Sequence, residues 1–171
     1  MIHSLRESVG QVLDNLKIAE VVVVHFDGAC EPVNPGGIAT CGWTVRKNGE
    51  LIGSGYREVR RGEGATNNVA EYCALGLALR WMLDAGIGGK CLIEIRGDSQ
   101  LVVNQLDDRW ACRKEHLQKL RDRCRALLQE ISPASWKAVW IPREENSESD
   151  ALSRKAYEEA TGKPFPERSR R

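Results

Sequence analysis

The spacing of apolar and polar residues changes several times along this chain, and each change marks a predicted element. Residues 2–16 place apolar side chains at helical spacing, which predicts an amphipathic N-terminal helix. The run at 21–26 is instead apolar and rich in valine, as in a strand buried on both faces, and it stops at Asp27-Gly28. The main sheet is therefore predicted to begin near residue 21.

Turn signals divide the next part of the chain. A loop rich in Pro and Gly occupies 31–37. Segments 39–46 and 51–60 then flank Asn48-Gly49, a dipeptide typical of two-residue hairpins. The first three strands are therefore predicted to form an antiparallel meander.

A helix over 67–85 is apolar almost all round and ends at Gly86, so it has to be buried against the sheet. Thr66 is its predicted N-cap. Strands and helices then alternate: a strand at 91–95, helices at 99–106 and 113–130, a strand at 136–141 and a helix at 146–160. This order predicts an α/β fold, with a mixed five-stranded sheet flanked by helices and an extra N-terminal helix.

Length, charge and cysteine content limit the possible domain organisation, cellular location and partners of the protein. The 171 residues suit one domain, predicted at 20–160, with a helical extension at 1–19 and a basic, flexible tail at 161–171. A net charge of +1 means that any nucleic-acid binding has to come from local patches. The six cysteines form no CxxC pair, and no secretory signal or membrane-length apolar run occurs. We therefore expect reduced thiols, a cytoplasmic location, no membrane partner, no obligate protein partner and, without heptads, a monomer.

Four acidic residues in four separate segments carry the candidate chemistry: Asp27, Glu71, Asp98 and Asp150. Asp27 and Asp98 each follow a predicted strand, and parallel strands joined by a helical crossover end side by side. The helix that starts at 67 brings Glu71 to the same edge, and the last helix brings Asp150. Because crowded carboxylates repel one another, the pattern predicts a site for divalent cations.

Three of these acids also have ordinary structural explanations. Asp27-Gly28 alone is a common turn, and Asp98 alone is a possible N-cap for the helix that follows it. Asp150 alone is a solvated helix residue that pairs with Arg154. Each acid taken singly is therefore weak support for a site, whereas the joint pattern is strong.

Glu71 is harder to explain without a site. A carboxylate in the apolar body of a helix needs a partner. Arg80 and Arg96 are possible partners, but a metal ion accounts for the position better.

Four sequence blocks resemble a known family. The segments FDGACEPVNPGG, TNNVAEYCAL, GDSQLVVNQL and WIPREENSESDALSRKA are similar, in order and separation, to the signature blocks of type 1 ribonuclease H. The resemblance covers about residues 20–160, and the short PREEN loop resembles that of the archaeal-type branch. It implies a ribonuclease H-like fold and an endoribonuclease that hydrolyses the RNA strand of RNA/DNA hybrids, leaving 5′-phosphate and 3′-hydroxyl ends.

The resemblance also implies a role for each carboxylate in holding two divalent cations, Mg²⁺ or Mn²⁺. Asp27 would contact both ions. Asp150 would help to hold the ion that activates the attacking water. Glu71 and Asp98 would hold the ion that stabilises the leaving oxygen.

Arg143 marks a departure from the longer branch of the family. That branch places a histidine in the loop before the last carboxylate, and this chain has none there. Arg143, seven residues before Asp150, matches an arginine of the archaeal-type branch, and we expect it to act on Asp150 or the scissile phosphate and to help product leave. The alternative is an exposed arginine paired with Glu144 or Glu148.

Recognition of the RNA 2′-hydroxyl suits short amides and backbone groups. By resemblance, the minor groove of the hybrid would be lined by the backbone of Gly28, Ala29 and Cys30 and by the side chains of Asn34, Asn67 and Asn68. Thr66 matches a residue of the phosphate pocket for the DNA strand. In the alternative, Thr66 only caps the helix and the two adjacent asparagines fill its first turn, although both roles are compatible.

Basic residues outnumber acidic ones between 109 and 125. Trp110, Arg113 and Lys114 are candidate contacts to the DNA strand, through stacking and charge. Equally, a charge-rich helix is usually a solvated face, and Trp110 is a possible core residue. The remaining tryptophans are predicted to pack in the interior: Trp43, Trp81, Trp136 and Trp140.

Two other classes of protein are compatible with such a fold. One is a non-catalytic nucleic-acid-binding domain, because fold does not fix function. The other is an integrase-like nuclease that acts on DNA. The presence of all four acids disfavours the first class, and the Asn-Pro-Gly-Gly and Thr-Asn-Asn segments disfavour the second.

Overall fold

A computed structural model describes residues 20–166 of the chain. Its strands are β1 (Val21–Glu31), β2 (Ile38–Lys47), β3 (Glu50–Arg61), β4 (Leu92–Gly97) and β5 (Ser135–Trp140). They form one sheet in the order β3-β2-β1-β4-β5. The first three strands pair antiparallel, whereas β4 pairs parallel with both β1 and β5. The mixed five-stranded sheet that the sequence predicted is confirmed.

Helices cover both faces of this sheet. The described residues form α1 (Asn67–Asp84), α2 (Gln100–Leu106), α3 (Glu115–Ile131) and α4 (Ser147–Thr161), with a 3-10 turn at Arg143–Asn146. A Cβ added at Gly28 would meet α1, whereas one added at Gly42, the cross-strand partner of Asp27, would meet α4. Because neighbouring strand positions face opposite sides, α1 and α4 lie on opposite faces.

The core lies mainly between α1 and the sheet. Six side chains there have no exposed surface: Val22, Val24 and Phe26 of β1, and Leu75, Leu79 and Met82 of α1. On its other side α1 contacts α3. This double cover explains why the sequence of α1 is apolar almost all round.

Two local predictions are confirmed. Asn48 and Gly49 both have positive φ, at 50° and 85°, and join β2 to β3 in a two-residue hairpin. Thr66 caps α1, since its Oγ1 accepts a hydrogen bond of 3.1 Å from the backbone N–H of Val69.

The prediction that the first strand stops at Asp27-Gly28 is wrong. Parallel pairing with β4 does end at His25, opposite Arg96, but antiparallel pairing with β2 continues as far as Glu31. Because this second ladder keeps the backbone hydrogen-bonded, the Asp-Gly pair does not turn. Asp27 therefore lies inside β1, just beyond the end of its parallel partner.

Parts of the sequence predictions fall on the chain ends. The predicted helix at 2–16 lies outside the described residues, as does the tail from 167 onward. Residues 162–166 turn back on α4, where the rings of Phe165 and Tyr157 pack edge to face with centroids 5.4 Å apart. The division into extension, domain and tail stays a prediction. Within 20–166, no helix has the length and apolar character needed to cross a bilayer.

Candidate active site

Three of the four predicted carboxylates meet at one edge of the sheet. One oxygen from each of Asp27, Glu71 and Asp98 lies within 4.8 Å of the other two. Asp27 and Glu71 are buried, with 5% of each residue exposed, and Asp98 is half-buried. These residues come from β1, from the first turns of α1 and from the end of β4. The sheet therefore assembles the cluster from distant parts of the chain.

Local structure explains each placement. Gly28 lets β1 and α1 approach so closely that a Cβ there would lie 2.3 Å from the backbone nitrogen of Glu71. Asp98 follows β4, and it is Ser99, not Asp98, that caps α2 by accepting from the N–H of Val102. The capping explanation for Asp98 is therefore wrong, and its carboxylate is available to the cluster.

Burial and repulsion by neighbouring carboxylates raise the pKa values of Asp27 and Glu71. Burial raises the pKa of Asp27 to about 6, with smaller contributions from Asp98 and Asp150, while a hydrogen bond from Ser153 opposes the shift. Burial also raises the pKa of Glu71 well above its usual range, and the carboxylates of Asp27 and Asp98 add to the effect. Both shifts express the cost of charge in this site without a cation.

The donor set fits a divalent cation. Glu71 Oε2 is buried without a hydrogen-bond partner in the described structure. The two arginines suggested as its partners are engaged elsewhere: Arg80 pairs with Asp84, and Arg96 pairs with Glu94. Hard cations such as Mg²⁺ and Mn²⁺ bind carboxylate oxygens, and an ion here would satisfy the unpartnered oxygen.

Asp150 lines the same cavity of about 180 Å³ but stands apart from the triad. Arg143 Nη2 donates to its Oδ1 at 2.6 Å, and Arg154 Nε donates to its Oδ2 at 2.7 Å. The pair with Arg154, proposed as the ordinary explanation of Asp150, is thus present. Arg143 pairs with Asp150 and not with either nearby glutamate. Both oxygens of Asp150 are therefore held by arginines.

Sequence reasoning did not single out two polar residues that support the cluster. Ser153, one turn after Asp150 on α4, donates a short hydrogen bond to Asp27 Oδ2. Asn146 is almost fully buried and donates to the backbone carbonyl of Phe26 at 2.8 Å and to Asp98 Oδ1 at 3.3 Å. The signal for both was their position, within one turn of Asp150.

The residues predicted to line the substrate groove lie beside the carboxylates. Asn34 Nδ2 donates to Asn67 Oδ1 at 2.8 Å, which ties the loop after β1 to the first turn of α1. Gly28, Ala29 and Asn67 line the acidic cavity. Cys30 is buried, with its thiol directed to the carbonyl of Val33.

The remaining groove candidates flank this surface. Asn68 is half-buried and follows Asn67 in the first turn of α1. Thr66 caps the same helix by accepting from the N–H of Val69, and a hydroxyl that accepts in this way can still donate its own hydrogen. These positions are compatible with the predicted contacts, which stay predictions.

Three residues that were predicted to contact the DNA strand are exposed to solvent. Trp110 is 47% exposed, which rules out the core alternative, and Arg113 and Lys114 are exposed. The prediction that Trp140 packs in the interior is wrong, since it is 45% exposed on the edge strand β5 and donates its indole N–H to the carbonyl of Asp98. Because β5 is an edge strand, a side chain on it has a neighbouring strand on one side only.

The sheet order and the carboxylate cluster define a ribonuclease H-like α/β protein. A family model described as "Reverse transcriptase-like" matches residues 25–156. Ribonuclease HI of Halobacterium salinarum is 39% identical over 140 residues, which are 81% of this chain and 65% of that protein. The chain spans 36% to 65% of the length of the curated relatives it matches.

Solved structures agree with this class. The crystal structure of RNase H1 from Halobacterium salinarum has a TM-score of 0.72 at 36% identity, covering 81% of this chain and 98% of that one. The structure of LC11-RNase H1 in complex with an RNA/DNA hybrid has a TM-score of 0.73 at 28% identity, with the same coverage. The chain belongs to the reverse transcriptase-like family and, within it, to the type 1 ribonucleases H.

Proposed function

We propose that this protein hydrolyses the RNA strand of RNA/DNA hybrids with the help of divalent cations, leaving 5′-phosphate and 3′-hydroxyl ends. The observation that carries the proposal is the cluster of Asp27, Glu71 and Asp98 with an unpartnered, buried oxygen on Glu71. The relative that was solved with an RNA/DNA hybrid supports the choice of substrate. That relative shares the fold of this chain at 28% identity.

Bound cations would supply an activated water and electrostatic stabilisation of the charge that develops on phosphate oxygens. In this proposal Asp27 is the central ligand, because it is flanked by the other carboxylates and its geometry is fixed by Ser153. Glu71 and Asp98 provide the remaining triad oxygens. Asp150 would add a ligand oxygen through Oδ1, the atom that Arg143 contacts. The identity of the ion, Mg²⁺ or Mn²⁺, is part of the test.

Arg143 has a second role in the proposal. Its guanidinium lines the acidic cavity and is bonded to Asp150 through one nitrogen. Once a phosphate enters, the same group is placed to share its charge and to assist departure of the product. Loss of Arg143 is therefore expected to slow turnover more than it weakens hybrid binding.

Substrate recognition in this proposal relies on the groove beside the carboxylates. The edge of β1 beyond His25 that faces away from β2 pairs with no strand of the described sheet, and in this proposal the backbone near Ala29 on that edge contacts the hybrid. The paired amides of Asn34 and Asn67 present short polar groups next to them. Trp110, Arg113 and Lys114 form an exposed flank for the DNA strand.

The setting proposed for this activity is a monomer in a reducing cytoplasm. All six cysteines are free thiols and five are buried, which suits a compartment that keeps thiols reduced. Size-exclusion chromatography coupled to light scattering tests the monomer.

The deciding experiment uses an end-labelled RNA/DNA hybrid with matched RNA/RNA and DNA/DNA duplexes, in Mg²⁺, Mn²⁺ or EDTA. We expect cleavage of the hybrid's RNA strand only, dependent on the ion and abolished in Asp27→Asn while hybrid binding persists. Binding without cleavage under either ion would favour the non-catalytic class. Cleavage of duplex DNA would favour the integrase-like class.

A further inference from the structure

The carboxylate of Asp150 is held by two arginines that come from different elements and have different neighbours. Arg143 comes from the 3-10 turn and borders the cavity. Arg154 lies on α4, one turn beyond Asp150, so its bond to Oδ2 is made within a single helix. The two oxygens of Asp150 are thus contacted from different elements.

Arg154 is further fixed by the segment that follows α4. Its guanidinium carbon lies 4.8 Å from the centroid of the Phe165 ring, a distance typical of a cation–π contact. The same ring packs edge to face on Tyr157, which is 5% exposed. Arg154 is therefore held by a carboxylate on one side and by an aromatic ring on the other.

The chain reaches this position by a defined turn. Gly162 ends α4 at a φ of 65°, and its N–H bonds to the carbonyl of Glu158. The N–H of Phe165 then donates to Glu158 Oε1 at 3.3 Å. Phe165 also lines the cavity formed by the carboxylates. The segment after α4 thus contributes one wall of the site.

We propose that Arg154 is a positioning residue for Asp150, and that Phe165 holds Arg154 in place for this purpose. Arg154 holds Oδ2 and fixes the orientation of the carboxylate, so that Oδ1 is the oxygen that would be presented to a cation. The proposal rests on the proposed function, in which Asp150 is a ligand. Groups that orient a ligand typically change metal affinity or activity by about 10–100-fold when they are removed.

The test compares Arg154→Gln and Arg154→Lys with Arg80→Gln. Arg80 also pairs with an aspartate one turn away on a helix, but is remote from the site, so it is the matched control. Mn²⁺ binding is measured by calorimetry on the protein alone, and kcat, KM and the Mn²⁺ concentration for half-maximal cleavage are measured on a hybrid.

For Arg154→Gln we expect about tenfold weaker Mn²⁺ binding and about tenfold lower kcat, with KM for the hybrid within about twofold of wild type. Arg154→Lys should recover part of the loss, because it restores a charge without the planar fork. Arg80→Gln should behave as wild type. Arg154→Gln with wild-type Mn²⁺ binding, or with a defect confined to KM, would overturn the proposal.

Phe165 provides a second and independent arm. Phe165→Leu keeps an apolar cover but removes the aromatic face, so we expect about threefold weaker Mn²⁺ binding, with a melting temperature lowered by no more than a few degrees through the lost contact with Tyr157. Unchanged binding in this variant would remove Phe165 from the proposal. Calorimetry needs no cleavage, so a wild-type protein that binds Mn²⁺ but cuts no hybrid would contradict the proposed function and still decide the role of Arg154.

Discussion

Asp27 and Glu71 place carboxyl groups in the protein interior, where ionisation costs free energy. Their raised pKa values come chiefly from burial and then from neighbouring carboxylates. The hydrogen bond from Ser153 partly opposes the rise in the pKa of Asp27, and Asn146 donates a hydrogen bond to Asp98. At the scale of single residues the site is therefore costly to the folded protein until a cation is bound.

This cost predicts that the difference in stability between Asp27→Asn and wild type depends on pH when EDTA removes divalent cations. The folded-state pKa of Asp27, about 6, exceeds its ordinary value of 3.8, so between these values the folded protein holds a proton that the unfolded chain releases. Wild-type stability should fall as pH rises through this window. Asp27→Asn should then be more stable than wild type by on the order of 2 kcal/mol above pH 6, with the difference shrinking toward pH 4.

Urea unfolding of both proteins across this pH range measures the effect. Asp84→Asn removes an exposed carboxylate of α1 and is the control for the loss of one negative charge. If the unfolding free energies of wild type and Asp27→Asn changed in parallel with pH, the raised pKa of Asp27 would be contradicted.

At the scale of elements, the close packing of β1 on α1 decides where Glu71 lies. The contact depends on Gly28, where an added Cβ would meet backbone atoms of residues 70 and 71 at 2.3 to 2.5 Å. Backbone atoms cannot move aside as easily as the end of a flexible side chain. The strand and the helix would therefore have to separate to admit any larger residue.

Gly28→Ala is accordingly expected to lower the free energy of unfolding by about 1–3 kcal/mol, as overpacking does, and to reduce cleavage by about a hundredfold through displacement of Glu71. Gly76→Ala is the matched control on the same helix, because its nearest contact is an ordinary 3.7 Å to Cys124 Sγ. Thermal unfolding and hybrid cleavage report both effects. Wild-type values of both for Gly28→Ala would show that the close approach is not required.

At the scale of the whole molecule, the site is a meeting point of chain segments that the sheet order brings together. The loop after β1 and the first turn of α1 are joined by the Asn34–Asn67 hydrogen bond. With a net charge of only +1, the protein has no strong overall field to attract nucleic acid. Selectivity therefore has to come from this local surface.

Replacing Asn34, Asn67 and Asn68 together with Ala should weaken the preference for hybrid over duplex DNA by about tenfold or more, because the groups that read the 2′-hydroxyl are lost. Competition binding with both duplexes measures the ratio. Asn104→Ala, on α2, is the control. An unchanged ratio in the triple variant would place recognition elsewhere.

Most of the fold could be predicted from the sequence, because its signals are local. The Asn48-Gly49 hairpin, the Thr66 cap and the apolar helix over 67–85 each depend on residues close in the chain, and each is confirmed. The end of β1 was predicted wrongly, because whether Asp27-Gly28 turns depends on a partner strand that lies elsewhere in the sequence.

The sequence by itself determined which residues could hold a cation, since carboxylates in four motif segments are a chemical property of the chain. Tertiary structure alone decided their grouping: the triad of Asp27, Glu71 and Asp98, and the separate capture of Asp150 by two arginines. It also decided that Phe165 reaches the cavity and that Trp110 and Trp140 are exposed. These outcomes depend on distances between side chains remote in sequence, which only the packed sheet and helices fix.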